Sequence, residues 1–528
     1  MHDTEKEISH RKKPKSILLR FIFSRFFVIV FVLILEILFI IYIFNHLSSN
    51  WSIGSIVLYD LLAIIILLNT NWQKNEYKVL WITILILLPG AGAIFYFTYR
   101  LINRFSFASR KVDSVINNTK LYNIDNSKLY DEMLPDQEKN SFYHYLYNKQ
   151  HFLPMYNNDV TYFDDGRNFF DSLLKDLRNA KKSIYLEFFI ISNGILWTEV
   201  SNILKEKVSL GLDVKLMYDG LNITNDFSIK EVFNLRKQGV EIKMFAPVVP
   251  LLSSKQNNRD HRKIAVIDNE IAYTGGMNIA DEYANYYHKY GIWKDAGVRV
   301  SGDCARTFQL LFLQVWMMTI KDIDRDFHKY LPYHILNDNT NTKLSDIDFK
   351  YICSYTDFPN DTENVSEDLY TMMIEYSYKY LYIMTPYLIL SESLVDALIR
   401  AKKRGVDVRI ILPHIPDKPL VHFVSRSYYK ILIANGIRCY EFIDGFVHSK
   451  VFLHDDIRAI VGTANFDYRS LYLHYEDGLY IYKDKCIKDI KKDFDTLFDR
   501  CKEYSYYKEI PLYQRFLGSV LKVFAPQF

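Results

Sequence analysis

The chain has 528 residues, enough for two globular units of ordinary size together with additional segments. Its formal net charge of only +3 disfavours a general nucleic-acid-binding protein. The five cysteines are scattered, odd in number and never spaced as a CxxC pair, which argues against a disulfide framework and against a structural zinc site. We therefore expect reduced cysteines that pack in the core.

The amino-terminal region is basic at first and then apolar. Residues 1–25 form a basic segment, and residues 26–111 form a predicted membrane region with two to three apolar helices. The run at 26–44 is interrupted only by Glu36, and its length is close to the roughly 20 residues that a helix needs to cross a bilayer. Further apolar segments follow at 52–69, which contains Asp60, and at 79–99, which Pro89-Gly90 interrupts. We interpret Glu36 and Asp60 as helix-packing or interfacial residues, because no basic residue inside these segments pairs with them.

These segments predict integral association with the cell membrane in a multi-pass topology, and two orientations stay open. Three spans with the basic amino terminus inside would place the remaining chain outside. The Pro-Gly break could instead make the third segment re-entrant, and the basic residues that follow it (Arg100, Arg104, Arg110 and Lys111) favour an inside location.

After a polar linker at 112–150, the sequence predicts two copies of one α/β unit, at 151–335 and 336–502. The β-type run at 182–190 has its counterpart at 379–385, and a helix follows each, with apolar residues at helical spacing. Strands at 211–217 and 405–411 also correspond. Strands separated by helices predict parallel βαβ pairing, and we expect two homologous sandwich halves related by a pseudo-two-fold axis.

The pattern His-x-Lys-x-x-x-x-Asp occurs once in each half, as His261, Lys263 and Asp268 and as His448, Lys450 and Asp455. Side chains two positions apart on a strand share a face, so each histidine projects with its lysine, and the two-fold axis would bring both pairs into one site. Lysines bind anionic phosphate oxygens, one imidazole can attack phosphorus, and the other can protonate the leaving alkoxide. The pattern predicts phosphoryl transfer through a phosphohistidine.

Further residues complete this predicted site. We expect Asp268 and Asp455 to brace the turn after each strand, and Asn278 and Asn465 to donate to the phosphate. Each half also offers a carboxylate that could fix a histidine tautomer, Asp295 in one and Glu476 in the other. We predict no metal and no cofactor. The alternative, that these are ordinary strand-edge residues, could hold for one copy but is disfavoured by the repetition.

On these motifs the sequence resembles the phospholipase D superfamily and, within it, the bacterial cardiolipin synthases, over nearly the whole chain. The resemblance implies that His261 is the nucleophile and His448 the general acid, with the reverse order as the alternative, and that Asp295 and Glu476 orient the histidines. Further shared features are Glu187, Tyr218-Asp219-Gly220, Phe245-Ala246-Pro247, Thr385-Pro386-Tyr387, the run 465–470, Trp81 and Pro89-Gly90.

Two positions depart from the family's pattern. Its Trp-Arg-Asp is Trp293-Lys294-Asp295 here, and its Leu-Asn-Phe-Glu is Leu473-His474-Tyr475-Glu476. Neither change removes a catalytic group. The histidine at 474 is expected to alter the polarity of the pocket or its preference for an acceptor.

The resemblance and the apolar segments together imply a membrane-embedded phosphatidyltransferase. It would join two phosphatidylglycerol molecules into cardiolipin and release glycerol, with phosphatidylglycerol and membrane lipids as its partners and no nucleic acid. The alternative is a phospholipase D or phosphatidyltransferase that uses water or another alcohol, such as serine or ethanolamine. A nuclease is disfavoured by the apolar segments, and a non-enzymatic scaffold by the two intact motifs. The oligomeric state does not follow from the sequence.

Two basic stretches carry alternatives of their own. The amphipathic tail at 503–528 could lie on the membrane beside the site or pack on the core. Arg259 and Arg262, next to the first motif, are interpreted as part of a solvated basic loop, with binding of lipid headgroups as the alternative.

Overall fold

The computed structural model of the chain describes residues 49–70, 75–104, 115, 138–149, 151–152, 154–156, 158–224, 227, 229–247, 257–319, 350–359 and 363–527. The predicted membrane run at 26–44, with Glu36, lies outside the described residues. The chain divides into two compact units. One comprises Met1–Phe105 with Val249–Ser254, and the other comprises Ser106–Val248 with Lys255–Phe528.

The amino-terminal unit is helical in its described part, with α1 (Ser49–Leu68), α2 (Asn75–Leu87) and α3 (Ala91–Arg104). The predicted apolar segment at 79–99 is thus divided between two helices at Pro89-Gly90. Asp60 lies at that break, where its carboxylate oxygens accept from the Gly90 amide at 3.0 and 2.9 Å. Within the described part of the chain, no helix has both the length and the apolarity required to cross a membrane.

The larger unit holds two sheets with the same strand order. The strands of the first half are β1 (Asn158–Phe163), β2 (Ser183–Phe188), β3 (Asp213–Asp219), β4 (Glu241–Phe245), β5 (Arg259–Asp260), β6 (Lys263–Ile267), β7 (Ile271–Gly275), β8 (Ile292–Lys294) and β9 (Gly297–Gly302). Its helices are α4 (Gly166–Asn179), α5 (Ile195–Ser209), α6 (Ile229–Lys237) and α7 (Asp303–Met318). The first sheet runs β1-β9-β7-β6-β2-β3-β4.

The second half repeats this arrangement. Its strands are β10 (Tyr351–Asp357), β11 (Tyr380–Met384), β12 (Leu388–Ile389), β13 (Asp407–Pro413), β14 (Arg438–Phe442), β15 (Gly445–Val447), β16 (Val451–His454), β17 (Arg458–Gly462), β18 (Phe466–Asp467), β19 (His474–Tyr482) and β20 (Cys501–Tyr504). Its helices are α8 (Val365–Glu375), α9 (Glu392–Lys403), α10 (Pro419–Ser427), α11 (Tyr429–Ala434), α12 (Tyr468–Leu473), α13 (Ile487–Phe498) and α14 (Leu512–Leu521). The second sheet runs β10-β19-β17-β16-β11-β13-β14-β20, so its first seven positions match the first sheet.

The predicted parallel pairing holds for only part of each sheet. Strands β2, β3 and β4 are parallel, as are β11, β13 and β14, and a helix separates each consecutive pair along the chain. The prediction was wrong for the motif strands, since β6 and β16 pair antiparallel with both of their neighbours. Tight turns with positive φ, at Asp268-Asn269 and Asp455-Asp456, return the chain directly to β7 and β17, and each motif strand also pairs with a strand distant in sequence, β2 or β11. Aspartate and asparagine tolerate this left-handed conformation.

The two sheets share one core and also exchange short strands. Buried Ile264, Val298 and Phe312 of the first half pack in one cluster with Val451 and Leu479 of the second. Strand β5 pairs in parallel with the start of β19, and β15 pairs in parallel with β8. The same contact therefore occurs twice with the halves exchanged, as a two-fold relation requires. These two contacts position the candidate site.

Candidate active site

Both motif histidines directly follow the short strands that cross between the halves. The His261 amide donates to the Tyr475 carbonyl at 2.9 Å, and the His448 amide donates to the Lys294 carbonyl at 2.7 Å. Neither histidine lies within a strand, because β6 begins at Lys263 and β16 at Val451. Each histidine is thereby fixed beside the residue that precedes the acid of the opposite half.

The histidines and their acids pair across the halves. His261 Nδ1 lies 2.9 Å from both carboxylate oxygens of Glu476, and His448 Nδ1 lies 2.8 Å from Asp295 Oδ2. An ionised carboxylate can only accept, so each Nδ1 carries a proton and each Nε2 keeps its lone pair. The two acids singled out from the sequence are thus the partners of the two histidines, but each orients the histidine of the other half.

Both acids are completely buried and held in place by further donors. The Thr463 hydroxyl donates to Glu476 Oε2. The Ala296 amide donates to Asp295 Oδ1 at 2.8 Å. Burial opposes ionisation of Asp295, but His448 and Lys450 outweigh it and leave the pKa of Asp295 below its usual value. The acid that orients His448 therefore stays charged.

The motif lysines are buried beside their histidines. Lys263 Nζ donates to the His261 carbonyl and Lys450 Nζ to the His448 carbonyl, so each lysine side chain folds back onto the backbone of its own motif. Burial outweighs the nearby carboxylates, lowering the pKa of Lys263 to about 8 and that of Lys450 to about 7. Both lysines remain able to carry positive charge near neutral pH, where an anionic phosphate would stabilise that charge.

The four motif side chains form one electrostatic unit. Burial, with the charges of Lys263 and Lys450, lowers the pKa of His261 well below its ordinary value. Burial and the charge of Lys450 lower the pKa of His448 to about 4, and the charge of Lys263 acts in the same direction. Both imidazoles are therefore neutral in the substrate-free site at neutral pH, and each is influenced by the lysine of the opposite half.

The motif aspartates lie apart from this group. Asp268 accepts from the backbone amides of Lys181, Lys182 and Ser183, and Asp455 accepts in the same way from Tyr378, Lys379 and Tyr380. Both lie at the far end of the motif strand, about 3.3 Å per residue away from the lysine. They tie the end of each motif strand to the start of the neighbouring strand, β2 or β11, and lie away from the motif histidines.

The two motif asparagines have different surroundings. Asn278 Oδ1 accepts from the Ile190 amide at 2.9 Å, and its Nδ2 donates to the Tyr283 hydroxyl at 2.8 Å. Asn465 Oδ1 is buried and has no hydrogen-bond partner among the described residues. Donation to a phosphate stays a prediction for both, and Asn278 also has a structural role.

Aromatic rings line the two histidines, and one of them, Phe189, was not singled out from the sequence as part of the site. Phe189 lies 5.0 Å from His261, between ring centroids, and Trp293 lies 5.3 Å from His448. His474 lies 5.3 Å from His261, at the position of its half that corresponds to Trp293. Each oriented imidazole is therefore flanked by the residue two positions before its acid.

Asp477 is a second residue that the sequence reasoning missed. It accepts from the Lys263 amide at 3.1 Å and from the Thr274 hydroxyl at 2.6 Å, so it ties the start of the first motif strand to the second half. Its position next to Glu476 is the one available sequence signal, and no spacing rule distinguishes it from an ordinary strand residue.

The interpretation of Arg259 and Arg262 as a solvated loop was wrong, and the headgroup alternative also fails. Their exposed fractions are 1% and 0%. Arg262 Nε donates to Glu187 at 2.8 Å, and Arg259 Nη1 donates to the Ala246 carbonyl at 2.7 Å. Both arginines hold the base of the site together from inside the protein.

His261, His474 and Glu476 are the one group in the described part of the chain with metal-ligand spacing. Each offers one ligand atom, and these atoms lie within 4.8 Å of one another. Arg469 Nε donates to His474 Nε2 at 3.0 Å, and the lysine charges act on His261, so positive charge opposes a cation here. The expectation that the chemistry needs no metal stays a prediction.

Comparison with known proteins adds to this geometry. The chain matches the family described as "Cardiolipin synthase, PLD-like domain" over residues 173–311 and 370–498, and the family described as "Phospholipase D-nuclease N-terminal" over residues 58–100. It is 37% identical over 464 residues to an uncharacterized protein of Streptococcus mutans, covering 86% of this chain and 98% of that protein. It is 31% identical over 489 residues to cardiolipin synthase 1 of Staphylococcus aureus, covering 90% of this chain and 96% of that protein.

A solved structure, the phosphatidylserine synthase of Haemophilus influenzae, matches with a TM-score of 0.54 at 17% identity, over 71% of this chain and 94% of that one. At that identity the match shows the fold alone. The family match covers both motif-bearing halves, and the crossed histidine–acid pairs lie within it. The chain therefore belongs to the phospholipase D superfamily, in the family of cardiolipin synthase-like domains.

Proposed function

We propose that this protein is a cardiolipin synthase that transfers the phosphatidyl group of one phosphatidylglycerol to the glycerol headgroup of a second, giving cardiolipin and free glycerol. The observation that carries the proposal is the pair of histidines, each bonded to a carboxylate of the opposite half and accompanied by a buried lysine. The similarity to proteins named cardiolipin synthase supports the choice of lipid substrate.

In the first step His261 Nε2 attacks the phosphorus of the donor lipid, and the bond between phosphorus and the glycerol oxygen breaks. Protonated His448 gives its proton to that oxygen, so glycerol leaves as a neutral alcohol. The low pKa of His261 suits this role, because the attacking lone pair is available at neutral pH. Glu476 supports the positive charge that develops on the imidazole.

In the second step the headgroup hydroxyl of the acceptor attacks the phosphorus of the phosphohistidine. Its proton passes to His448 Nε2, the bond between phosphorus and His261 breaks, and the free enzyme returns. Lys263 and Lys450 bind the nonbridging oxygens in both steps, where they offset the charge added in the transition state.

His448 must be protonated for the first step although the pKa of the empty site is about 4. The positive charge of Lys450 contributes to that low value. A bound phosphodiester places a negative charge beside the lysine and so favours the imidazolium. Substrate binding is therefore expected to raise the pKa of His448.

The alternative function is a phospholipase D or a phosphatidyltransferase with water or another alcohol as the acceptor. One observation favours it: His474 stands beside the nucleophile in place of the asparagine typical of the family. A change at that position could alter which hydroxyl is accepted at the phosphohistidine.

Product analysis tests the proposal. The full chain is reconstituted in vesicles that contain phosphatidylglycerol labelled separately in its headgroup glycerol and in its acyl chains. Labelled cardiolipin with an equimolar amount of free glycerol is expected. Phosphatidic acid as the sole lipid product would contradict the proposal, and phosphatidylserine or phosphatidylethanolamine formed on addition of serine or ethanolamine would favour the alternative.

The proposed organisation keeps the boundaries expected from the sequence. Residues 1–25 and 26–111 would form a basic segment and a membrane region, 112–150 a linker, 151–335 and 336–502 the catalytic halves, and 503–528 the tail. The family match at 58–100 supports a distinct amino-terminal region. Membrane insertion is tested by resistance of the full chain to extraction from membranes with alkaline carbonate, and release into the supernatant would contradict it.

A further inference from the structure

Helix α14, in the tail, is fixed to the catalytic region by one face only. A β-carbon added at Gly518 would lie 2.2 Å from the Phe423 carbonyl oxygen, so the helix backbone approaches α10 more closely than any larger residue would allow. On the same face, Gln514 Oε1 accepts from Arg426 Nη1 at 2.6 Å. The helix is therefore docked on the protein, as one of the two sequence alternatives expected.

The opposite face of α14 is apolar and faces outward. Leu512, Phe516 and Val520 follow one another at four-residue spacing and are 73%, 67% and 47% exposed. Three neighbours extend this stripe, which we call the tail face: Tyr513, Leu517 and Val523. On the surface of a globular protein the stripe that faces away from the core is normally polar. An outward apolar stripe of this kind marks a contact surface.

The charged residues of α14 and of the segment that follows it are basic. Residues 510–527 contain Arg515 and Lys522 and no aspartate or glutamate. The Arg515 guanidinium lies 5.6 Å from the ring of Tyr507, and Lys522 Nζ lies 4.0 Å from the ring of Tyr428. Acidic residues lie outside this stretch, at Glu509 and, near Lys522, at Glu392. An apolar stripe whose own charged residues are basic has the composition that binds anionic lipid surfaces.

The tail face adjoins the candidate active site. The 3₁₀ segment Lys522–Gln527, which continues α14, packs against α12, the helix that carries Arg469. Arg469 donates to His474, whose ring contacts His261. Helix α10, on which α14 packs, also leads to the site. It begins directly after Lys418, whose charge acts on His261.

We propose that the tail face lies in the surface of a bilayer that contains anionic phospholipid, and that it places the mouth of the active site at the level of the headgroups. A second protein is a poorer fit, because a ten-residue helix offers a stripe only about 15 Å long. A stable protein interface buries roughly 800 Å² on each partner. The inference concerns the membrane contact and holds whichever alcohol is the acceptor.

Fluorescence quenching tests the contact without relying on catalysis. Phe516→Cys in the full chain is labelled with an environment-sensitive fluorophore and reconstituted in vesicles of equal parts phosphatidylglycerol and phosphatidylcholine. The native cysteines are buried, except for half-buried Cys501. The matched control is Ser209→Cys. Ser209 is exposed and lies before the amino end of β3, at the opposite end of the sheet from the active site, which lies beyond the carboxyl ends of the parallel strands.

Quenching at 516 by lipids that carry a nitroxide near the top of the acyl chain is expected to exceed quenching at 209 at least threefold. Equal quenching at the two sites would overturn the proposal. So would protection of the 516 label from aqueous iodide without lipid quenching, since that result would mean that protein covers the tail face.

A second measurement uses activity in two settings. Leu512→Ser combined with Phe516→Ser should lower the rate on vesicles at least fivefold and leave the rate on short-chain phosphatidylglycerol in detergent micelles within twofold. Equal loss in both settings would contradict a membrane-docking role and indicate damage to the fold. An absence of activity in both settings for the unaltered chain as well would count against the proposed function, while the quenching result would still decide the membrane contact.

Discussion

The two motif copies differ in their surroundings although the strands around them are equivalent. His261 and His448 follow equivalent cross-strands and bond carboxylates at nearly the same distance. His261 lies against Phe189 and a second histidine, His474. His448 lies against Trp293 and Phe446 instead. Near-symmetry of the backbone thus places two imidazoles in chemically different surroundings.

The lysines differ as well. Lys450 Nζ lies 2.9 Å from His448 Nδ1 as well as bonding the His448 carbonyl, whereas Lys263 lies over the ring of Phe189. The pKa of Lys450 is the lower of the two, about 7 against about 8. In a duplicated site, the division of labour between nucleophile and acid must come from such local differences, because the duplicated motif itself supplies both groups equally.

The largest expected effect separates the two histidines. His261→Ala should abolish the covalent intermediate and reduce turnover by on the order of 10⁴-fold or more, because it removes the nucleophile. His448→Ala should reduce turnover by roughly 10²- to 10⁴-fold, the range for an acid–base group, and still form some intermediate. Rapid quenching after mixing with lipid labelled at phosphorus measures both.

His414→Ala is the matched control for the histidine variants, since His414 Nδ1 also bonds a glutamate, Glu441 at 2.8 Å, but lies outside the motif. It should retain turnover within about threefold, as is usual for a change outside the reacting groups. Labelling that survives in His261→Ala and disappears in His448→Ala would reverse the assigned roles.

The next effect tests the crossing of the halves. Glu476→Gln, although it lies in the second half, should mimic loss of function at His261 and suppress labelling, with turnover lowered by roughly 10- to 10³-fold. Asp295→Asn should mimic loss at His448, with labelling retained and turnover lowered to a similar extent. The opposite pattern of labelling would mean that each acid serves the histidine of its own half.

A smaller effect concerns pH and the two lysines. The ammonium forms exist below the pKa values of about 7 and about 8, so raising the pH from 6 to 9 removes positive charge from the site. KM for the anionic lipid should rise roughly tenfold, since a hydrogen bond to a charged group contributes about 1.5–3 kcal/mol. Initial rates across this range measure it.

Lys450→Arg is the companion variant, because arginine keeps its charge throughout the range. If it folds and turns over, its KM should lose the part of the rise centred near the pKa of Lys450, about 7. A KM that stays flat up to pH 10 in the unaltered protein would contradict a binding role for either ammonium.

The smallest effect is expected at His474, which differs from its counterpart Trp293 in the other half. Burial and Arg469 lower the pKa of His474 to about 3, so this residue is neutral and does not supply charge. His474→Asn should therefore change the rate by no more than about threefold, as for most changes that break no buried charge pair. The ratio of cardiolipin to phosphatidic acid, measured with Trp293→Phe as the counterpart in the other half, reports any effect on the acceptor. A tenfold loss of rate would show that His474 supports His261 directly.

Local patterns were sufficient for many of the elements and for selecting the candidate motif residues, but they did not select Phe189 or Asp477. The helices predicted after the runs at 182–190 and 379–385 are present, and their apolar residues Leu196, Val200, Leu204, Leu394 and Leu398 are buried. The strands near 183 and 380 are present as well. Periodicity and repetition are properties of short segments, which is why one sequence reveals them.

Long-range partners were not accessible in this way. The antiparallel motif strands, the exchange of acids between halves and the burial of Arg259 and Arg262 all depend on which distant segments meet. A basic residue beside a motif looks the same in sequence whether it meets water or a buried carboxylate. In the amino-terminal unit, the bond from Gly90 to Asp60 likewise joins residues that lie 30 positions apart.

The exchange of orienting acids has a consequence for how such a chain can arise and divide. A single half carries a histidine without its carboxylate and a carboxylate without its histidine, so it can complete a dyad only by meeting a second copy. Joining the copies in one polypeptide makes that encounter intramolecular and independent of concentration. It also frees each copy to change alone, as the pair Trp293 and His474 shows. Separately expressed halves should thus recover activity only when mixed, and identical halves should fail to replace the missing one wherever the copies have diverged.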